Sequence, residues 1–377
     1  MGEVTHTTTP LASLAAASRA LQQSITWRFA TVVLSIAALW AAASFLTRRA
    51  HEQRVTRAEA AVARAAFAAT EGRRDDAVAL YREAVGLEPH QPGFRLSLAK
   101  ALVAVGRPAE AEPYVQEVLR QEPVDGEANL VLARIFEQAG SRDEAERTYY
   151  RAIYGRWPPA AQPLRMLARL ELIEHYRRLG ERTRLRAALL ELSSAFPGDR
   201  ELQLQAGRDL LAEGFHDDAA RQLRVVVDRF ADADDALPLL ARAEFAGRNY
   251  VDAYEAAGRV LAEDHRNEEM AALRVLTARV LALDPDQRRI SSSERLARLR
   301  VLLREVNTQL ETCESGADVG QLRPLVEQWL TRQSKDAELG RTLLEAAAHK
   351  LPAACLPSPE GSAVGRVLAD LAGESRR

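Results

Sequence analysis

RAAFAATEGRRDDAVALYREAVGLEP, residues 64–89, is followed by LAKALVAVGRPAEAEPYVQEVLRQEP at 98–123 and LARIFEQAGSRDEAERTYYRAIYGRW at 132–157. Laid over one another, the three stretches share a register of 34 residues. Gly72, Gly106 and Gly140 fall in one column, Ala77, Ala111 and Ala145 in a second, Ala65, Ala99 and Ala133 in a third, and Pro89 and Pro123 in a fourth. After a six-residue insertion in the Pro-rich stretch around Trp157, Pro158, Pro159 and Pro163, Gly180, Gly214, Ala219 and Ala253 continue the register, and Pro197 closes the fourth unit.

Each column has a physical reason. The glycine lets the chain turn between two helices, the alanines permit close helix approach, and the proline ends the second helix. Tyr81, Tyr149 and Leu189 fill one recurring large site. A single helical hairpin cannot bury its apolar face, so stacked neighbours supply the stability.

Ala65, Gly72, Ala77, Tyr81, Ala84 and Pro89 together resemble the tetratricopeptide-repeat (TPR) family, most clearly over 58–157 and more weakly over 166–266. Departures are Ala61 in place of the frequent Trp, Ile173 and Leu185 at small-residue columns, and Arg248 in the glycine column. The resemblance implies an all-α TPR helix-turn-helix superhelix of about six units over 58–266, preceded by one transmembrane helix and followed by a helical C-terminal cap. From residue 267 the period is lost, and 267–377 reads as degenerate repeats or a cap. Within it EEMAALRVLTARVLALDP is a helix stopped by Pro285, Ser291, Ser292 or Ser293 caps the next, and further helices are expected near 320–350 and 363–373.

The 19 residues 29–47, FATVVLSIAALWAAASFLT, carry no charge and as a helix span about 30 Å, the thickness of a bilayer's hydrocarbon core. They are read as a single-pass anchor behind a tail at 1–28, with Trp27 at one edge and Arg28, Arg48 and Arg49 bracketing the span. Arg48, Arg49, Arg54, Arg57 and Arg64 after the span outnumber Arg19 and Arg28 before it, which favours a cytoplasmic array over a periplasmic one. A cleaved signal peptide is the alternative, with Ala41–Ala43 as its small-residue site.

No GxxxxGK, GxSxG or HExxH occurs, and no catalytic residue, cofactor or metal is expected. Glu171 and His175 lie one turn apart with no third ligand and read as a solvated pair; Asp232, Asp234 and Asp235 lack the glycine and distal glutamate of a calcium loop. Cys313 and Cys355 read as free thiols, with a single bridge between them the alternative if this end of the chain is extracytoplasmic, and a net charge of −2 gives no drive toward nucleic acid. No small-molecule substrate is evident.

In TPR proteins the first helix of each pair lines a concave groove, and the resemblance implies that surface here. One column of it carries Ala66, Lys100, Arg134, Glu174, Arg208 and Arg242, cationic in four of six units; another, four residues earlier, includes Leu96, Leu130 and Leu204. An apolar stripe beside a basic ladder is suited to a partner protein segment with hydrophobic and acidic residues; the alternative is that the leucines pack between neighbouring units and the Arg/Lys side chains solvate the face or pair with nearby Glu. Positions that match the carboxylate clamp of chaperone-binding members, Val62, Ala66, Ser97, Glu127 and Val131, supply no cation or amide. The function expected is a bacterial inner-membrane scaffold for envelope assembly, polymer export or secretion, not an enzyme. A soluble or exported adaptor and an oligomerising regulatory subunit are the alternatives.

Overall fold

The computed structural model describes residues 11–312, 317–350, 355–359 and 361–374. The described residues form α-helices, with a single isolated bridge between Asp125 and Arg156 and no strand. The chain divides into two compact units, Met1–Leu172 and Ile173–Arg377.

The first unit begins with α1 (Leu11–Thr70), which runs without a break through the apolar stretch and becomes the first helix of the first repeat. The expected boundaries at 28, 47 and 58 are therefore not breaks in secondary structure, since residues 48–57 continue the same helix. Next come α2 (Arg74–Leu87), α3 (Pro92–Ala104), α4 (Pro108–Gln121), α5 (Gly126–Gln138) and α6 (Arg142–Tyr154). Then α7 (Gln162–Leu179) crosses the division, and the second unit holds α8 (Arg182–Ala195), α9 (Arg200–Ala212), α10 (His216–Arg229), α11 (Ala236–Ala246), α12 (Tyr250–Glu263) and α13 (Glu268–Leu283). It ends with α14 (Ser292–Thr312), α15 (Ala317–Thr331), α16 (Ala337–Lys350) and α17 (Ala363–Glu374).

The helix–helix turns are copies of one geometry. Gly72, Gly106, Gly140, Gly180 and Gly214 all have φ between 69° and 78°. The residue after each of these glycines closes the turn with a backbone bond five residues back: Arg73 donates to Ala68, Arg107 to Leu102, Ser141 to Phe136, Glu181 to Tyr176 and Phe215 to Leu210, at 2.8–3.1 Å. Arg248 adopts the same left-handed conformation, φ 70°, with Asn249 donating to Glu244 at 2.8 Å. Its side chain is held by α17, ion-paired with Asp370 at 3.1 Å and donating to the Asp370 carbonyl at 3.1 Å. That anchoring offsets the strain a non-glycine residue bears there.

A Cβ at Gly140 would meet nothing within 4 Å, so Gly140→Ala isolates the conformational cost. We expect a loss of about 1 kcal/mol, read as a lower denaturation midpoint for the first unit.

Column by column, the alanines are where the helices touch: Ala65, Ala99, Ala133, Ala111, Ala145, Ala219 and Ala253 are all 0% exposed. In the fourth repeat Ile173 and Leu185 take small-residue places and are buried as well, at 3% and 2%. The insertion is pinned to the first unit. The Trp157 indole nitrogen donates to the Ala152 carbonyl at 2.8 Å, its ring covers Gly126 so closely that a Cβ there would collide with it, and the Gly126 amide donates to Arg156 at 2.9 Å.

Beyond the repeats, Ser291 caps α14 by accepting the Glu294 amide at 3.1 Å. Leu299, Leu302, Leu303, Val306, Val326, Trp329, Leu344 and Leu368 then form one core with Val280 of α13 and with Phe245 and Ala253 of the last repeat. The helices after residue 267 thus share a hydrophobic core with the last repeat. Cys355 is disulfide-bonded, which corrects the expectation of a free thiol; Cys313, the chain's other cysteine, lies outside the described residues, as do 1–10 of the expected tail.

Candidate functional site

The groove columns fall on the first helices as their spacing requires, but their side chains are engaged. Leu96, Leu130 and Leu204 are 7%, 2% and 0% exposed. They pack between repeats and form the floor beneath the face, so the expected exposed apolar stripe is a packing layer. The reason is geometric: a position four residues before the cation column turns toward the neighbouring hairpin.

Each cation of the ladder meets a carboxylate supplied by the next first helix. Lys100 on α3 ion-pairs with Glu127 on α5. Arg134 on α5 makes a two-pronged contact with Glu171 on α7, at 2.9 Å through Nε and 2.6 Å through Nη2. In the second unit Arg208 on α9 lies 3.9 Å from Asp235 and 3.6 Å from Glu201, and Arg242 on α11 bonds Glu269 on α13 at 2.6 Å. Three of these pairs share one spacing, since 127 − 100, 235 − 208 and 269 − 242 are each 27, the 34-residue period less two helical turns. The sequence therefore held a second, acidic column, Glu127, Glu201, Asp235 and Glu269. It is legible in the sequence at the repeat period.

The fourth repeat departs from this pattern. Counting the six-residue insertion, the acidic column would pass through Leu167, so Arg134 reaches Glu171, one turn further on. The cation column holds Glu174 there, and Arg177, one turn along, supplies the positive charge to Glu174 at 2.6 Å, Glu213 at 2.7 Å and Asp209 at 3.7 Å. Burial pushes the Asp209 carboxyl up despite that guanidinium.

Around Arg134 the rung extends inward. The Tyr149 hydroxyl, on a fully buried ring, donates to Glu137 at 2.8 Å and lies 3.5 Å from Glu171, and burial with these two carboxylates raises its pKa far above the usual phenol range. The Glu171 carboxylate keeps Arg134 firmly charged. The outer rungs are half exposed, so we expect Lys100→Glu to cost less than about 1 kcal/mol in thermal or chemical denaturation.

No group of three or more His, Cys, Asp or Glu among the described residues is arranged to hold a metal ion. Asp232 and Asp235, from the acidic run, receive Arg200, whose Nη2 donates to the Asp232 carbonyl at 2.7 Å and also bonds Asp235. What the first-helix face offers is a row of cations each paired with one or more carboxylates over a closed floor.

A family model described as "Tetratricopeptide repeat" matches residues 96–161 and 204–269. A curated relative, the TPR repeat-containing thioredoxin TTL4 of Arabidopsis thaliana, is 33% identical over 108 residues, 29% of this chain and 15% of that protein. Protein O-mannosyl-transferase TMTC1 of Homo sapiens is 32% identical over 74 residues, 20% of this chain and 8% of that one. The chain thus spans only a small part of either relative. Among solved structures, the pilF protein of Pseudomonas aeruginosa superposes with a TM-score of 0.38 at 12% identity, covering 59% of this chain and 99% of that one.

Proposed function

We propose that this chain of tetratricopeptide repeats is a membrane-anchored scaffold that binds segments of partner proteins along its first-helix face and has no catalytic role of its own. Repeats of this kind mediate protein–protein interaction, and the observation that ties them to a membrane is α1. Val32, Val33, Leu34, Ile36, Leu39, Trp40, Phe45 and Leu46 of that helix are 56–74% exposed, and the same helix then packs into the first repeat through the buried Ala58, Ala61 and Ala65. Removing eight large apolar side chains from water is worth on the order of 10–20 kcal/mol, which a bilayer supplies. The continuous helix would hold the array a few turns from the membrane surface.

Lys100, Arg134, Arg208 and Arg242, with their paired carboxylates, are the groups we assign to partner contact, above the floor of Leu96, Leu130 and Leu204. An envelope assembly, polymer export or secretion system of a bacterial cell membrane is the setting that fits an anchored array. The arginines after the span favour a cytoplasmic array, whereas the disulfide at Cys355 favours an oxidising compartment. We follow the disulfide, because long domains are translocated whatever their flanking charge.

Carbonate extraction tests the anchor: the full chain is expected to stay in the membrane pellet, and release into the wash would leave a soluble adaptor. A thiol-reactive polymer reagent tests the compartment. Gel-shift labelling of Cys355 in unreduced lysate is expected to need prior reduction, and labelling without it would return the array to the cytoplasm.

A further inference from the structure

We propose that the hairpin-turn edge of the second unit is a docking site for an acidic segment of a partner protein. The inference rests on the protein-binding reading of the repeats but concerns a surface separate from the first-helix face. A cavity of about 310 Å³ opens at the turns that precede α10 and α12, lined by Arg186, His216, Asp217, Asp218, Arg221 and Arg248.

Its charge is unbalanced. Asp218, 5% exposed, receives both Arg186 and Arg221, which hold its carboxyl well below the usual range, while those arginine side chains remain 48% and 64% exposed. Asp370 likewise receives two arginines, Arg248 at 3.1 Å and Arg366 at 3.4 Å. Arg182 stacks over the Phe215 ring at 4.9 Å and donates to the neutral Glu213 carbonyl at 2.9 Å, the Glu213 carboxylate being taken by Arg177 at 2.7 Å. At the cavity and its rim Arg182, Arg186, Arg221, Arg248 and Arg366 face Asp217, Asp218 and Asp370, and Arg186 and Arg221 keep exposed forks, whereas along the first-helix face the carboxylates outnumber the cations. In addition, the Nδ1 of His216 has no hydrogen-bond partner among the described residues.

Exposed guanidinium forks match carboxylates in two-pronged geometry, so this surplus selects an anion. A compact phosphate is disfavoured. The place it would bind best, the amino end of α10, already carries the carboxylates Asp217 and Asp218 in its first turn. An extended acidic chain avoids that point and reaches the arginines on either side of it.

The test uses the detergent-solubilised full chain and a fluorescein-labelled hexaglutamate peptide, with hexaglutamine as control, followed by anisotropy. Hexaglutamate is expected to bind and hexaglutamine not to. Arg221→Glu should weaken binding at least about tenfold, Arg221→Gln about threefold, and Arg147→Glu, at an exposed arginine on α6, by less than about twofold. Arg221 is chosen because Asp218 keeps Arg186 when it is changed, and Arg221→Gln serves where the reversal perturbs folding in circular dichroism. Absence of hexaglutamate binding, equal losses in the Arg221 and Arg147 variants, or displacement of the peptide by inorganic phosphate at matched charge would each overturn the proposal. If the first-helix face still captures a partner while hexaglutamate fails here, this inference alone falls.

Discussion

Trp157→Ala is expected to lower the stability of the first unit by about 3–5 kcal/mol, the range for truncating a buried Trp. The ring is 7% exposed, fills the space over Gly126 and spends its only polar hydrogen on the Ala152 carbonyl. Its loss opens a cavity between the end of α6, the start of α5 and the insertion. Repeat arrays unfold in local steps, so a single transition for the whole chain is the wrong readout. Amide hydrogen exchange is the appropriate one, with faster exchange expected across 124–156 and none added in α9–α12. Trp157→Phe should recover most of the loss, because it restores ring volume and gives up only one hydrogen bond. Equal damage from both substitutions would place the energy in the hydrogen bond instead of the packing.

Arg134→Glu is the second large effect. The wild-type guanidinium is the cation facing a cluster in which Glu171, Glu137 and the Tyr149 hydroxyl converge, and the side chains of its ion pair are only 30% and 25% exposed. A carboxylate in its place leaves like charges confronting one another at low solvent exposure, at an expected cost of roughly 3 kcal/mol. The swapped pair, Arg134→Glu with Glu171→Arg, should return half or more of that loss, and a double-mutant cycle in urea measures the coupling. A swap that recovers nothing would show that the geometry around Tyr149, and not the ion pair, sets the stability.

The repeat architecture was legible because each of its demands is met by a residue type with few substitutes. Left-handed turns need glycine, close helix crossings need alanine, and a 34-residue register exposes both at once. The one glycine column that broke, at Arg248, was unreadable from sequence because its support comes from Asp370 on α17, more than a hundred residues away. The candidate surface was half legible. The cations were found, yet the carboxylates that neutralise them sit two turns out of phase in the following repeat, and the leucines taken for a contact stripe face the neighbouring hairpin. Burial of that kind depends on how hairpins stack, which the spacing within one helix does not specify.

The arginine surplus at the hairpin-turn edge was hidden for a related reason. It arises from turns and helix starts in successive repeats together with α17, and no one of these segments carries the whole set.

The most direct measurement of the central claim is site-specific photo-crosslinking in native membranes, with the photoreactive residue placed at 100 and 208 on the first-helix face and at 82 and 147 on second helices. A partner-binding face predicts discrete protein adducts from 100 and 208 that are absent from 82 and 147. The same adduct pattern from all four positions, or none from 100 and 208 while the chain remains folded and membrane-bound, would contradict it.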